Sequence, residues 1–424
     1  MSLNRAIAPN SAEIKNFNII EAQKIPLNSG LDLYYVNAGN EDVVRVDFVF
    51  NAGSRNQNQK CLASYTAQML SEGTKRFSAK QLADGLDYFG AYFSAHSSAD
   101  DATVTLYCIS KHLDSCLPFI VDVLSDSTFP EEELKIIKNN NIQRLLVNEQ
   151  RNSFLLRRHF YNTLFGGNSA YGSFATQNDI EKIDRIGLVD FYNKNYFGAL
   201  RFVLVSGRVS DSVISTISKY AKTPHLSNNT VDKSQVFSES IEPQKSFIKK
   251  PGSVQSGIRI GRKMFNRTHK DYRELQLLNL VLGGYFGSRL MKKIREESAL
   301  TYGIYSALES FREDGCWYIE TEINHHLRER GLTEIYNEIK KLREIKISEN
   351  ELNTCKNYML GSFLRSIDGP FSLADRFKTL HDFGFDYNYY YTFVETIKNA
   401  RPERLQELAN LYFSEKDLSE IIVG

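Results

Sequence analysis

Cysteine is sparse in this chain, and long hydrophobic runs are missing. Five cysteines stand among 424 residues, at Cys61, Cys108, Cys116, Cys316 and Cys355, with no Cys-x-x-Cys spacing. An odd, scattered set excludes a disulfide framework and a cysteine-built zinc knuckle, and reads as reduced structural thiols. No segment approaches the roughly 18 consecutive apolar residues that mark a spanning helix. The opening residues MSLNRAIAPNSAEIKNF lack the apolar core of an export signal. A dominant charge is missing as well: 52 Lys and Arg against 51 Asp and Glu leave a formal net charge of +1. That balance gives no electrostatic footprint for nucleic acid or an anionic membrane. The expectation is a cytoplasmic protein with neither kind of partner. An export signal trimmed from the N-terminus would place it in the periplasm instead.

What is present is an ordinary globular composition, 42% hydrophobic and 24% charged, with room for two or three domains. Between Ala221 and Ser256 the texture turns polar and turn-rich, with Pro224, Pro243 and Pro251, and reads as a linker. Similar patterns flank it in the same order. LDLYYVNAG (31–39) and VVRVDFVFNAG (43–53) alternate as strands, and an apolar helix follows from about Cys61 to Ser71. Ser78 is a plausible cap for the next helix, and a strand pair covers 91–100 and 102–110. Pro130 and Glu131–Glu133 open a long helix. In the second half RELQLLNLVLGG and SRLMKKIREESAL read as helices, TYGIYSALES and CWYIETEIN as strands, and two long helices follow. FGAYFSA aligns with YGIYSA, and Gly207 after FVLVS with Gly424 after SEIIV.

The expected fold class is therefore α+β, built from two homologous domains. Each would be an antiparallel sheet with helices packed on one face, the two related by a pseudo-two-fold. The boundaries are 1–222, a linker 223–250, and 251–424.

Two segments resemble a known family. NAGSRNQNQKCLASYTAQMLSEGTKRFSAKQL, with Gly53-Ser54-Arg55 and Gly73-Thr74, is similar to the motif region of the insulinase-like zinc peptidases, which include pitrilysin-type enzymes and the mitochondrial processing peptidase. LLNLVLGGYFGSRLMKKIREESALTYGIYSA resembles the signature of that family's second half, and the resemblance spans nearly the whole chain. In active members a helical His-x-x-Glu-His binds zinc through its two His, while the Glu polarises the attacking water. Here those positions read Ser64-Tyr65-Thr66-Ala67-Gln68. Ser64 and Gln68 replace the two His, and Ala67 replaces the Glu. The family's third ligand, a Glu on a following helix, falls by spacing near Leu145 in NNNIQRLLVN (139–148), which has no acid; Glu149 comes one turn late. No zinc is expected in this chain.

The family also uses an Arg and a Tyr seven residues apart in its second half, facing the zinc site across a chamber, and Arg295 and Tyr302 keep that spacing. Guanidinium and phenol can converge on a peptide carbonyl. The resemblance implies a non-catalytic subunit that pairs with a homologous zinc-bearing subunit and positions unfolded peptides with Arg295 and Tyr302. The alternative is a peptide-binding or scaffold homodimer with no peptidase role. A self-sufficient hydrolase is disfavoured, because no local nucleophile signature occurs. Other candidates read as structural. His325-His326, after the strand CWYIETEIN, read as a solvated turn, since adjacent strand residues would point to opposite faces; His96 with Asp100 and Asp101 sits in a hairpin, and the aromatic stretch FGFDYNYYYTF (383–393) suits packing between domains.

Overall fold

The computed structural model describes residues 17–27, 30–196, 198–220 and 242–424. Most of the expected linker, at 221–241, lies outside the described residues.

The first half runs β1 (Gln23–Pro26), β2 (Asp32–Asn37), β3 (Val43–Phe50), α1 (Leu62–Met69), α2 (Ala79–Tyr88), β4 (Tyr92–Ser97) and β5 (Ala102–Ile109). It continues with α3 (Leu113–Asp126), α4 (Glu131–Glu149), α5 (Asn152–Phe165), α6 (Gln177–Glu181), α7 (Arg185–Asn195), β6 (Leu200–Gly207) and α8 (Asp211–Tyr220). The second half runs β7 (Lys245–Ile248), β8 (Gln255–Met264), α9 (Tyr272–Asn279), β9 (Ile304–Ser310), β10 (Gly315–Asn324) and α10 (Arg328–Glu344). Then come α11 (Glu349–Arg365), α12 (Pro370–Phe383), α13 (Asn388–Asn399), α14 (Pro402–Tyr412) and β11 (Ser419–Val423).

Local chemistry sets several of these boundaries. Ser78 caps α2 in a reciprocal box, accepting from the Gln81 amide at 3.3 Å while Gln81 Oε1 accepts from the Ser78 amide at 2.9 Å. Pro130 precedes α4, whose first turn carries Glu131, Glu132 and Glu133 against the positive end of the helix. One difference from the sequence reading lies between α9 and β9. Leu280–Gly284 and Met291–Glu297 wind as π-helix rather than α-helix. Gly283 shows a reason: a Cβ there would meet the Ser306 amide at 2.7 Å, so only glycine lets this turn lie against β9.

The repeat is visible strand by strand. The first sheet has the order β1-β2-β6-β3-β5-β4 and the second β7-β11-β8-β10-β9. With β1 set aside, each position has its counterpart, including one parallel pair per sheet, β2 with β6 and β7 with β11. The fold is thus the expected α+β duplication, with sheets that are mainly antiparallel.

The faces of the sheets carry a feature that the sequence reading did not anticipate. Period-two alternation sends Val44, Val46, Phe48, Val203 and Val205 into a core with helices of the first half. The opposite face, with Val36, Val49, Phe202 and Leu204, joins the core of the second half. There α12 lies on β2 and β6, with Phe377 4.6 Å from the Tyr34 ring. The second sheet mirrors this. Ile258, Ile260, Trp317 and Ile319 face helices of their own half, whereas Cys316, Tyr318, Ile421 and Val423 pack on Leu156 and Phe160 of α5. Each sheet is therefore covered on one face by its own helices and on the other by a helix lent by the other half.

Candidate functional site

Helix α1 carries the degenerate motif. Ser64 and Gln68, one turn apart, are exposed on one face, while Ala67 is buried. Their polar atoms are spent inside the fold: Ser64 Oγ donates to the Cys61 carbonyl at 3.1 Å, and Gln68 Nε2 donates to the Ser64 carbonyl at 3.2 Å. The side chain that reaches Gln68 from α4 is Asn141, whose Nδ2 donates to Gln68 Oε1 at 3.0 Å. Leu145, where the family spacing falls, is turned into the first-half core. A hydroxyl and two amides, already bonded to each other and to backbone, do not fit zinc, which takes imidazole, thiolate or carboxylate. Among the described residues no group of three or more His, Cys, Asp or Glu is placed to hold a metal ion.

The helix borders a cavity of about 500 Å³, walled by Ser54, Ser64, Ser97, Ser98, Tyr161, Tyr171, Phe174 and Phe311 among others. Both halves contribute to it. Burial raises the Tyr161 and Tyr171 phenols, so both remain neutral donors. Tyr161 donates to Glu309, which also accepts from Tyr318 at 3.0 Å.

The retained Gly53-Ser54-Arg55 segment has a role that sequence reading missed. A Cβ on Gly53 would lie 2.4 Å from the Ala99 carbonyl, so glycine is needed where the β4–β5 hairpin presses in. The Ser54 and Arg55 amides donate to the Ser98 and Ala99 carbonyls, each at 3.0 Å. Arg55 then reaches Asp100 at 3.0 Å and Glu313 of the second half at 3.3 Å. Asp100 also accepts from the Tyr171 hydroxyl at 2.7 Å and the Arg312 amide at 3.1 Å.

Beside it, Arg201 and Arg312 share Asp382 at 3.0 and 2.9 Å and lie 3.9 and 3.5 Å from Asp101. Burial, reinforced by the Arg201 charge, pushes the neighbouring His381 down to about 4, so it sits neutral against Phe202 at 4.1 Å. These charges form an ionic latch between the halves. The hairpin acids Asp100 and Asp101 look like ordinary turn formers in sequence; their only signal was their nearness to the Gly-Ser-Arg segment in the fold.

Arg295 and Tyr302 present the opposite picture. Arg295 lies in the π-helical turn, with its guanidinium 4.7 Å over the ring of Phe286, itself 62% exposed. Tyr302 is 92% exposed, just before the edge strand β9. Among the described residues neither side chain has a hydrogen-bond or ionic partner. Neither residue lines the cavity beside α1; Tyr302 is exposed and Arg295 half-buried. No described helix is long and apolar enough to cross a membrane.

Known proteins resemble this chain over nearly its whole length. Residues 34–176 match the model of the insulinase family, peptidase family M16, and residues 182–359 match the model described as the peptidase M16 inactive domain. An uncharacterized zinc protease of Rickettsia felis is 25% identical over 418 residues, covering 96% of this chain and 98% of that protein. A protein of Helicobacter pylori named as a non-peptidase homolog, YmxG, is 22% identical over 376 residues, covering 87% and 85%. The crystal structure of a peptidase M16 inactive domain from Pseudomonas fluorescens superposes with a TM-score of 0.83 at 22% identity, covering 95% of this chain and 98% of that one.

Proposed function

Because the chain belongs to the insulinase family, peptidase family M16, and carries Ser64, Ala67 and Gln68 at the zinc motif, we propose that it is the non-catalytic subunit of a zinc-dependent peptidase. A homologous subunit with an intact His-x-x-Glu-His motif supplies the metal. This chain supplies half of the chamber wall, with Arg295 and Tyr302 positioning the peptide.

The observation that carries this reading is that the exposed Tyr302 and the half-buried Arg295 have no hydrogen-bond or ionic partner among the described residues. A guanidinium with five donors and a phenol with one, both without internal partners, are set to bind a group that arrives from outside. The strand β4, at the edge of the first sheet, also offers a side on which an extended, unfolded peptide can add as a further strand. Pairing has a parallel in the mitochondrial-processing peptidase, of which the beta subunit is a relative of this chain. The five cysteines, all buried and unbridged, suit a reducing cytoplasm.

The test is co-purification from the native source, followed by peptide hydrolysis with the reconstituted pair. A zinc-bearing homologue of similar length should co-elute, and Arg295→Ala or Tyr302→Phe should lower activity with zinc content unchanged. Full activity of both variants would remove the positioning role. The name of the Helicobacter pylori relative favours a second reading, a homodimeric peptide-binding scaffold with no peptidase role. That reading predicts a stable homodimer, no zinc-bearing companion and indifference to Arg295.

A further inference from the structure

A second cavity, of about 200 Å³, lies in the second half and is lined by Arg267, Gln276, Ser362, Phe363, Arg376 and Tyr389 among others. No carboxylate lines it. A third guanidinium, that of Arg273, sits 4.5 Å over the ring of Tyr389.

None of these three arginines meets a carboxylate among the described residues. Arg267 Nε is 3.5 Å from Ser310 Oγ, and its guanidinium stands 5.0 Å over the Phe383 ring. Arg376 Nε donates to the Ser366 carbonyl at a long 3.4 Å. Arg273 Nε is buried and has no partner. The nearby acids are already engaged elsewhere, since Asp271 and Glu274 both pair with Arg404, at 2.6 and 2.9 Å. Three part-buried cations around one tyrosine, with no anion among them, repel one another and are poorly compensated. The Tyr389 phenol registers all three guanidiniums, though burial outweighs them and raises it.

We propose that this cavity is a binding site for a small phosphate-bearing ligand. Planar guanidinium forks match phosphate oxygens two at a time, and the two that line the cavity, Arg267 and Arg376, with the Arg273 charge over the Tyr389 ring beside them, suit a dianion better than a monocarboxylate. Gln276 and Ser362 add neutral donors. The rings of Phe363 and Tyr389 wall a space that holds a phosphate with a compact organic group. The aromatic stretch at 383–393, which reads in sequence as domain packing, thus also forms the wall of a site.

The test uses the full chain, inorganic phosphate as the probe and acetate at matched ionic strength as the comparison. Calorimetry should give saturable one-site phosphate binding with Kd of about 1 mM or tighter, and the melting temperature should rise with phosphate by mass action. Acetate should bind at least about tenfold more weakly. Arg376→Gln or Arg267→Gln should weaken phosphate at least about tenfold, whereas Arg330→Gln, on the exposed face of α10, should leave it unchanged.

Phosphate should also shield Arg267 and Arg376 of the unaltered chain from phenylglyoxal, read by mass spectrometry; this arm needs no variant to fold. No saturable phosphate binding, equal affinity for acetate, or no shielding of these arginines would overturn the proposal.

Discussion

The two halves share one topology and have treated their polar side chains in opposite ways. In the first half, the residues at the old metal positions, though exposed, are bonded within their own half: Ser64 to the Cys61 carbonyl, and Gln68 to Ser64 and Asn141. In the second, the exposed Tyr302 and half-buried Arg295 have no hydrogen-bond or ionic partner, on a fold that leaves few other large aromatics exposed among its described residues. A polar group that finds its partners inside the chain serves the fold. One that is left unpartnered at the surface costs the fold little and is free for a group from elsewhere. The contrast also separates two kinds of retained motif. Gly53-Ser54-Arg55 persists because it pins the hairpin that latches the halves together, a role independent of zinc.

The comparison can be broken most forcefully by rebuilding the lost site. Ser64→His, Ala67→Glu and Gln68→His together should not confer tight zinc binding, because the facing position remains an amide. Adding Asn141→Glu should bring Kd to about 1 μM or tighter, a total binding free energy of about −8 kcal/mol. Zinc titration of the apo variants reads the difference, and tight binding by the triple variant alone would show that Asn141 does not mark the third ligand position.

Next in size is the latch. Asp100→Ala leaves Arg55 and Tyr171 short of their shared acceptor and should cost about 3 kcal/mol in urea unfolding. A cost below about 1 kcal/mol would mean that the latch is a surface ornament.

The pH response of the same region follows from His381. Its folded value, about 4, lies below the ordinary value of 6.5. The unfolded chain therefore binds the extra proton first as pH falls. This histidine's stabilising contribution is complete above about pH 6.5 and is lost progressively down to about pH 4, where the folded form also protonates. The loss should be on the order of 2 kcal/mol after allowance for partial exposure. His381→Gln should flatten the stability profile in that window, and an unaltered slope would assign the effect to other groups.

For Arg295→Ala and Tyr302→Phe, a fall of about tenfold in kcat/KM of the reconstituted pair is expected, equivalent to about 1.4 kcal/mol. The unfolding midpoint should not move. The smallest effect is expected for Gln68→Ala, at most about 0.5 kcal/mol, since its bonds are exposed. A larger loss would mean that the inward repair of α1 matters more to stability than its exposure suggests.

Much of the fold was legible because alternation is a local signal. Val43–Phe50 and Ala102–Ile109 announce strands by period, Ser78 and Pro130 announce helix starts by chemistry, and the matching order announces the duplication. The helix exchange was not legible. A stripe of apolar residues such as Leu156 and Phe160 says that a face is buried, but not against which half. The loss of the zinc motif was legible from Ser64, Ala67 and Gln68, whereas the facing position could be narrowed only to 139–148, because residue counting cannot tell that Leu145 turns into the core and Asn141 toward Gln68. The π-helical winding around Arg295 left no mark in sequence, since it answers to a close approach between Gly283 and Ser306 that is made elsewhere in the fold. Of the three arginines around Tyr389, Arg267 and Arg273 are close in sequence but Arg376 is far from both, and only the structure shows that no acid accompanies them.

The exchange of α5 and α12 has a consequence for how the chain comes apart. Neither half, severed and purified alone, could keep its sheet out of water on both faces, so each fragment should aggregate or remain unstructured. A single cut between Tyr220 and Glu242, made after folding, should instead leave two pieces gripping each other like clasped hands, with one cooperative melt for the pair. Mixed from denaturant, the same two pieces should restore the native assembly only together, which makes this chain a natural split reporter whose signal depends on both parts being present.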